Sequence, residues 1–273
     1  MVGEIGTTAV GYLCSTKAKT KDMLAHTDRL QTCWFIAHRG FSAKAPENTL
    51  RAIKKAVTLQ VDAVEFDVRL SKDNVVVVLH DSSVNRTTDG KGKVQDLSLV
   101  NLKKLDAGTW KHQQFSGEPI PTLSETLAYL ATTSCKAVIE IKDNTALDYV
   151  LADVKKVKPA NQVYLLSPDH NVLTQTQAVL PRSQCAWLCD ALPKEYVSPL
   201  RQAEWIKVQL YKSNTTILDA HYGILSSELI GQLHAQGITV WTWTVNDPNV
   251  MKALQHWGVD AITTDHPDWK NKI

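Results

Sequence analysis

The stretch VDAVEFDVRLSKDNVVVVLHD, residues 61–81, decides how the rest of the chain is interpreted. Two apolar runs, 61–68 and 75–81, flank an Asp-Asn pair that is typical of a turn. We interpret the first run as a strand and the second as the returning arm of a hairpin. That hairpin would carry His80 back to the end of the first strand. The alternative, a ninth strand within the main sheet, would make a closed barrel irregular.

Short apolar runs alternate with longer amphipathic runs on both sides of this stretch. Besides 61–68, strands are predicted at 33–38, 136–141, 162–167, 185–190, 215–220, 237–245 and 259–265. Helices are predicted after the first strand and at 122–130, 146–157, 171–180, 199–209, 226–236 and 248–257. Eight consecutive βα units predict the α/β class and a (β/α)8 TIM barrel with its helices outside. The competing fold is an open, doubly wound sheet.

The 273 residues suit one barrel domain, since such domains run to about 250 residues. We assign residues 32–273 to this domain and residues 1–31 to an N-terminal extension of uncertain structure. The segment 82–120 is polar and too long for an ordinary βα loop. We expect it to be an insertion with a short helix at 98–105 that shapes the substrate entrance.

Composition excludes several classes of function. A net charge of +2 does not indicate a nucleic-acid partner. No run of 18 apolar residues occurs, so no stable membrane association is predicted. The N-terminus lacks the features of a signal peptide, and we expect a cytoplasmic protein. Five scattered cysteines without a CxxC pair indicate free thiols rather than a zinc site. The oligomeric state leaves no signature in the sequence.

Carboxylates are predicted to converge at the mouth of the barrel, where the C-terminal ends of all strands meet. Glu65 and Asp67 are two residues apart, as are Glu140 and Lys142, so each pair faces one side of its strand. Three carboxylates turned into one interior would repel each other without compensation. A divalent cation that prefers hard oxygen ligands, Mg²⁺ or Ca²⁺, would provide it. Salt bridges to Lys and Arg inside the barrel are the alternative.

Two histidines and two cations flank this cluster. His38 and His80 carry imidazoles suited to a general acid and a general base, although a single histidine at a strand end is more often structural. Arg39 offers a planar fork and Lys142 a point charge for phosphate oxygens. We expect Gly40 to let the backbone approach a ligand closely.

Four blocks of sequence resemble the glycerophosphodiester phosphodiesterases. IAHRGFSAKAPENTLRAI (36–53) resembles their HRG and PENT signature, and residues 61–81 resemble their ExD and HD block. VIEIK (138–142) resembles the third block and WTWTVND (241–247) the fourth. The blocks follow the family order. The resemblance implies a (β/α)8 barrel that hydrolyses small glycerophosphodiesters to sn-glycerol 3-phosphate and an alcohol.

The resemblance also assigns roles to the polar residues at the mouth. The implied cofactor is one divalent cation, Mg²⁺ or Ca²⁺, and its implied ligands are Glu65, Asp67 and Glu140. The resemblance implies that His38 and His80 form the acid/base pair. It also implies that Arg39 and Lys142 contact the phosphate. Which histidine is the acid, which head group is preferred, and whether water or a glycerol hydroxyl attacks are left open.

Apolar side chains would complete the pocket. The resemblance places Trp243 against the glycerol carbons, and Trp241 is a second candidate because it lies on the same face of the strand. Phe41 is expected to form part of the pocket wall. We expect Glu47 and Asn48 to cap the first helix and to anchor its loop.

Two other functions compete with this one. A phospholipase C-like or sphingomyelinase D-like enzyme would need an apolar rim for lipid contact, for which the insertion offers only Trp110 and Phe115. A non-catalytic glycerol-phosphate binder is the other possibility. It is disfavoured because all seven polar positions of the implied site are present.

Overall fold

A closed barrel of eight parallel strands forms the centre of the protein. The computed structural model describes residues 33–156 and 162–272, and the predicted N-terminal extension lies outside them. The barrel strands are β1 (Trp34–His38), β2 (Ala63–Leu70), β4 (Lys136–Ile141), β5 (Val163–Ser167), β6 (Cys185–Cys189), β7 (Ile217–His221), β8 (Thr239–Trp243) and β9 (Ala261–Thr264). Strand β1 pairs with both β2 and β9, which closes the barrel. The predicted (β/α)8 fold is therefore confirmed.

The surplus apolar run of the sequence forms a hairpin arm outside the barrel closure. Strand β3 (Val76–Val78) pairs antiparallel with the end of β2, which itself pairs in parallel with β1 and β4. The turn contains Asn74 at φ +61°, and the Ser71 hydroxyl accepts a hydrogen bond from the Val75 N–H at 2.9 Å. Strand β3 thus leads the chain back to His80 at the mouth, as predicted.

Eight described helices accompany the strands. They are α1 (Leu50–Thr58), α2 (Leu99–Leu102), α3 (Leu123–Leu130), α4 (Leu147–Val154), α5 (His170–Thr176), α6 (Pro199–Lys212), α7 (Ser227–Ala235) and α8 (Pro248–Trp257). Helix α3 begins with a full capping box between Thr122 and Glu125. Helix α4 begins later than predicted because residues 144–146 form a 3₁₀ turn. In the part of the chain that the structure describes, no helix has the length and apolarity to cross a bilayer.

The insertion after β3 is a folded element rather than a loose loop. Its helix α2 is shorter than the predicted 98–105. Apolar side chains of the insertion form a small core against β3, composed of Val77, Leu79, Val84, Val94, Leu102, Ala107 and Ile120. The insertion is therefore held against the barrel by its own buried contacts.

An apolar layer fills the barrel below its mouth. Trp241 is 3% exposed and packs between Trp34 and Tyr164, with ring centroids 5.9 and 5.3 Å away. This layer provides a floor beneath the polar side chains at the strand ends. Free cysteines are also buried among apolar side chains, as at Cys185. Burial raises the pKa of the Cys185 thiol to about 12.

Candidate active site

Three carboxylates meet inside the barrel mouth, as the two-residue spacing predicted. Glu65, Asp67 and Glu140 each offer an oxygen within 4.8 Å of the others. The parallel register sets Asp67 directly beside Glu140 on the neighbouring strand. Glu65 is 3% exposed and Asp67 is 1% exposed. The two-residue spacing turns these side chains inward on each strand. The register between β2 and β4 then places the acids of the two strands next to each other.

Glu65 is the least compensated acid of the three. Burial and the neighbouring carboxylates of Asp67 and Glu140 raise its pKa well above the usual range. Its Oε2 accepts a hydrogen bond from the Arg39 backbone N–H at 2.9 Å. Its Oε1 has no hydrogen-bond partner among the described residues. A buried oxygen without a donor is costly in the protein alone and suits a cation ligand.

Asp67 is surrounded by cations. Arg39 Nε lies 3.2 Å from its Oδ2, and Lys142 Nζ lies 3.4 Å from its Oδ1. Burial opposes ionisation of Asp67, but Arg39, Lys142 and His80 together hold its pKa below the usual value. The Lys142 contact lies outside hydrogen-bond geometry, so Oδ1 accepts no hydrogen bond from the described residues. The ion pairs of Asp67 with Arg39 and Lys142 therefore agree with the alternative prediction, in which salt bridges compensate the buried acids.

The donor set nevertheless fits a hard divalent cation. Lys142 also lies 2.5 Å from Glu140 Oε1, so this ammonium faces two of the three acids. Burial raises the pKa of Glu140, with a further contribution from Asp67, although Lys142 opposes the shift. One oxygen of Glu65 and one of Asp67 remain without hydrogen bonds among the described residues. Three carboxylates with two such oxygens match the ligand preference of Mg²⁺ or Ca²⁺.

The backbone at the end of β1 is strained where it turns Arg39 toward this cluster. Arg39 has φ +54° and Gly40 has φ +83°. A Cβ on Gly40 would lie 2.6 Å from the carbonyl carbon of Ala52 in α1. The lack of a Cβ at Gly40 is thus required by the helix backbone, and a close approach to a ligand stays a prediction.

The PENT segment, residues 46–49, both caps the first helix and contacts the residues of the site. The N-cap of α1 is Thr49, whose hydroxyl accepts from the Ala52 N–H, so the capping role predicted for the two preceding residues is wrong. Asn48 has φ +58° and donates to Asp67 Oδ2 at 2.8 Å. Glu47 accepts from Arg39 Nη1 at 2.7 Å and from Arg86. Loop anchoring, the other expectation, is met through these side chains.

His38 is oriented by an acid at the end of the last strand. Its Nδ1 lies 2.6 Å from Asp265 Oδ1. Asp265 also accepts hydrogen bonds from the Ser42 hydroxyl at 2.8 Å and the Asn246 amide at 2.6 Å. Burial opposes ionisation of Asp265, but these three donors hold its pKa well below the usual range. Asp265 is the last residue of the predicted strand 259–265, but its sequence context did not indicate this role.

A carboxylate also orients His80, which follows strand β3 of the hairpin. Its Nδ1 lies 2.7 Å from Asp81 Oδ1, and its backbone carbonyl accepts from Arg69 Nε at 2.7 Å. Arg86 forms hydrogen bonds to both oxygens of Asp81. Burial lowers the pKa of His80, although Asp67 and Asp81 oppose the shift. The second residue of the HD pair is thus the orienting partner of the first.

One cavity of about 470 Å³ joins most of the sequence-predicted residues. Its lining includes His38, Arg39, His80, Glu140, Lys142 and Trp243. Trp243 is fixed by a hydrogen bond from its Nε1 to the Asp219 carbonyl at 3.3 Å. Of the two tryptophans proposed for the pocket, only Trp243 lines this cavity, since Trp241 belongs to the layer beneath.

Phe41 is not brought to this cavity. Its side chain is 9% exposed and packs in a core cluster with Ala37 and Ile53. It does not line the cavity that holds the two histidines. The positive φ angles of the preceding two residues turn the chain toward α1, where the Phe41 N–H donates to the Ala52 carbonyl at 3.0 Å. The geometry gives no support to the substrate contact expected for it.

Sequence reasoning missed a further buried acid, Asp219 of β7. Its side chain is 2% exposed, and its Oδ1 has no hydrogen-bond partner among the described residues. It lines a small cavity together with Glu65 and Glu140. Burial, with a contribution from Glu140, raises the pKa of Asp219 well above the usual range. The available signal was a single acid at an inward position of the apolar run 215–220.

Comparisons with known proteins agree on one family. The model of the glycerophosphoryl diester phosphodiesterase family matches residues 38–269. A glycerophosphodiester phosphodiesterase of Caldanaerobacter subterraneus is 34% identical over 85% of this chain and 94% of its own length. The corresponding enzyme of Bacillus altitudinis is 31% identical over 87% of this chain and 96% of its own.

A solved structure shows the same fold. A phosphodiesterase from Oleispira antarctica, in complex with the product sn-glycerol-3-phosphate, superposes with a TM-score of 0.79 at 28% identity. The match covers 88% of this chain and 96% of the other. Since the family match spans most of the chain and includes the residues at the mouth, the chain belongs to the glycerophosphoryl diester phosphodiesterase family of hydrolases.

Proposed function

We propose that the protein hydrolyses glycerophosphodiesters to sn-glycerol 3-phosphate and an alcohol, with a divalent cation and two histidines as proton carriers. The observation that carries this proposal is a single cavity lined by His38, Arg39, His80, Glu140 and Lys142. Two oriented imidazoles can transfer the protons of phosphodiester hydrolysis, and two cations beside an acidic cluster can stabilise its developing negative charge. The product bound in the Oleispira antarctica relative supports the same substrate class.

The carboxylate cluster would hold the cation. Glu65, Asp67 and Glu140 are its proposed ligands, and the cation would supply positive charge to the phosphoryl oxygens. Arg39 and Lys142 add charge from the protein itself, since both line the cavity. Their present partners are carboxylates, so a phosphate must share or replace those contacts. A cation on the acids would compete with Lys142 for Asp67 and Glu140 and with Arg39 for Asp67, while Arg39 would keep its contact with Glu47.

Proton transfer falls to the two histidines. The Nδ1 atom of His38 contacts Asp265, and the Nδ1 atom of His80 contacts Asp81. The Nε2 atom of each imidazole therefore remains available to the substrate. One imidazole takes the proton of the nucleophile and the other protonates the leaving alkoxide. The lowered pKa of His80 keeps a larger fraction of it neutral near pH 7.

Trp243 is the proposed contact for the glycerol carbons. Its indole lines the cavity, and its Nε1 hydrogen bond to the Asp219 carbonyl fixes the ring plane. A lipid substrate is less well supported, because Phe115, one of the two apolar residues considered for a lipid-facing rim, is 5% exposed. It packs against Ala45 and Ala52 rather than facing solvent.

The test measures sn-glycerol 3-phosphate released from glycerophosphocholine and glycerophosphoglycerol by the purified protein. Activity should disappear after EDTA treatment and return with added Mg²⁺ or Ca²⁺. Intact phosphatidylcholine and sphingomyelin serve as comparison substrates. Hydrolysis of these lipids but not of the small diesters would overturn the proposed substrate class. Turnover that ignores EDTA would overturn the metal role alone.

A further inference from the structure

A second cavity of about 270 Å³ adjoins the first at the barrel mouth. The two cavities share His38 and Arg39. The far wall of the second cavity comes from the insertion, through Trp110 and Lys111, and from the β1 loop, through Ser42. We call this cavity, defined by Ser42, Trp110 and Lys111, the head-group subsite. A phosphate bound at Arg39 would therefore have a separate space on each side.

The loop that carries this wall is built around one carboxylate. Asp106 accepts hydrogen bonds from the backbone N–H groups of Gly108, Thr109 and Gly117 at 2.7, 3.0 and 2.8 Å. A Cβ at Gly108 would lie 1.8 Å from the Phe115 carbonyl oxygen, so the two arms of the loop are in close contact. Such a loop presents its side chains in a defined place.

The same loop is anchored to the barrel next to the site. Phe115 is buried against α1, and the Trp110 Nε1 donates to the Ala107 carbonyl at 2.9 Å. Lys111 Nζ donates to the Ser42 carbonyl at 2.8 Å, which spans the cavity wall from the insertion to the β1 loop. The indole remains 37% exposed despite these anchors. An ordered aromatic surface therefore faces the second cavity.

The charges around the subsite disfavour a cationic ligand. Lys111 Nζ lies 5.8 Å from the Trp110 ring centroid, so the protein's own ammonium occupies the position that a ligand cation would seek. The two acids in the lining, Glu47 and Asp265, are already engaged by Arg39 and His38. The described contacts of Lys111 use one of its three ammonium donors, which leaves donors for hydroxyl oxygens.

We propose that the head-group subsite binds the alcohol half of the diester and selects an uncharged polyol, such as glycerol or inositol, over a quaternary ammonium alcohol. This inference rests on the proposed function, which assigns the glycerol phosphate to the larger cavity beside Trp243. The alcohol then leaves on the other side of Arg39. Its carbon face packs on Trp110 while Lys111 donates to its hydroxyls.

The test compares kcat/KM for glycerophosphoinositol and glycerophosphocholine in matched variants. The unaltered enzyme should favour the inositol diester, and Lys111→Glu should lower that ratio by about tenfold, since one displaced ion–aromatic or hydrogen-bond contact is worth about that factor. Lys111→Gln should lower it by less. Lys104→Glu, an exposed lysine of the same insertion outside both cavities, should leave the ratio unchanged.

Trp110→Ala provides an independent measurement. It should raise KM for glycerophosphoinositol while the inhibition constant of sn-glycerol 3-phosphate stays the same, because that product occupies the other cavity. An unchanged substrate ratio in Lys111→Glu, with diester hydrolysis intact, overturns the subsite proposal alone. Failure of the unaltered protein to hydrolyse any glycerophosphodiester overturns the proposed function first, so the two failures are distinguishable.

Discussion

His38 Nδ1 and Asp265 Oδ1 lie 2.6 Å apart, although the two residues are separated by 227 positions in the chain. The contact forms where β9 closes the barrel against β1. Asp265 receives two further hydrogen bonds, from Ser42 and Asn246, and its place is therefore independent of His38. We expect Asp265 to be a positioning residue, because its contact with Nδ1 leaves Nε2 of His38 available at the cavity that His38 lines.

Asp265→Asn should lower kcat by about tenfold to a hundredfold with little change in KM, because an amide can favour the wrong tautomer of His38. Steady-state kinetics on glycerophosphocholine check this, and the pH profile of kcat should shift as well. Asp96→Asn, at an exposed position of the insertion, is the matched control. Equal kcat values for the two variants would contradict a positioning role.

The same substitution should reveal a pH-dependent contribution to stability. The folded pKa of Asp265 is depressed, so its stabilising effect is present above the unfolded pKa of about 3.9 and is lost as pH falls through the folded value. Asp265→Asn should lower the free energy of unfolding at pH 7 by about 1–2 kcal/mol. Urea titrations at pH 7 and below pH 4 should show this difference shrinking under acid. A constant difference would contradict the assignment.

His38→Ala and His80→Ala should each reduce kcat by about 10²–10⁴-fold, as expected for loss of a general acid or base. KM should change less, because the proposed phosphate contacts of Arg39 and Lys142 would remain. His256→Ala, on the exposed side of α8, is the control. Near-normal turnover in both site variants would rule out the acid/base roles.

Glu65→Gln should weaken metal binding while making the metal-free protein more stable. The change removes a ligand and also removes charge repulsion around a buried oxygen that has no described partner. Isothermal titration with Mg²⁺ and Ca²⁺ measures the first effect, and thermal unfolding in EDTA measures the second. Glu204→Gln, an exposed position in α6, should change neither. Unaltered metal affinity in Glu65→Gln would remove Glu65 from the ligand set.

Asp219→Asn should raise the free energy of unfolding of the metal-free protein by about 1–3 kcal/mol at pH 7. The folded pKa of Asp219 is raised, so its unfavourable contribution grows as pH rises above the unfolded value near 3.9. Urea titrations in EDTA at pH 4 and pH 7 should show the gain only at the higher pH. Asp62→Asn should have the opposite effect and lower the free energy of unfolding, because Asp62 accepts hydrogen bonds from the Phe35 N–H and the Lys270 ammonium.

Much of the candidate site could be predicted because local spacing carries it. Residues two apart on a strand face the same side, so Glu65 and Asp67 had to point inward together once the strand was recognised. The hairpin that returns His80 followed from the turn pair and the count of eight other strands. The prediction of the N-cap of α1 was wrong, because local rules could not distinguish the adjacent residues Asn48 and Thr49. The backbone angle of Asn48 sends its amide to Asp67 rather than to the helix.

The barrel, the inward acids and the two histidines at its mouth were predictable, because strand periodicity and the order of βα units are properties of neighbouring residues. Which distant groups meet depends on how the chain folds in three dimensions. Barrel closure brings Asp265 to His38, and the depth of each strand position separates Trp243 in the cavity from Trp241 in the floor. Such pairings depend on strand register and on how the insertion packs across the mouth, and no local pattern encodes either.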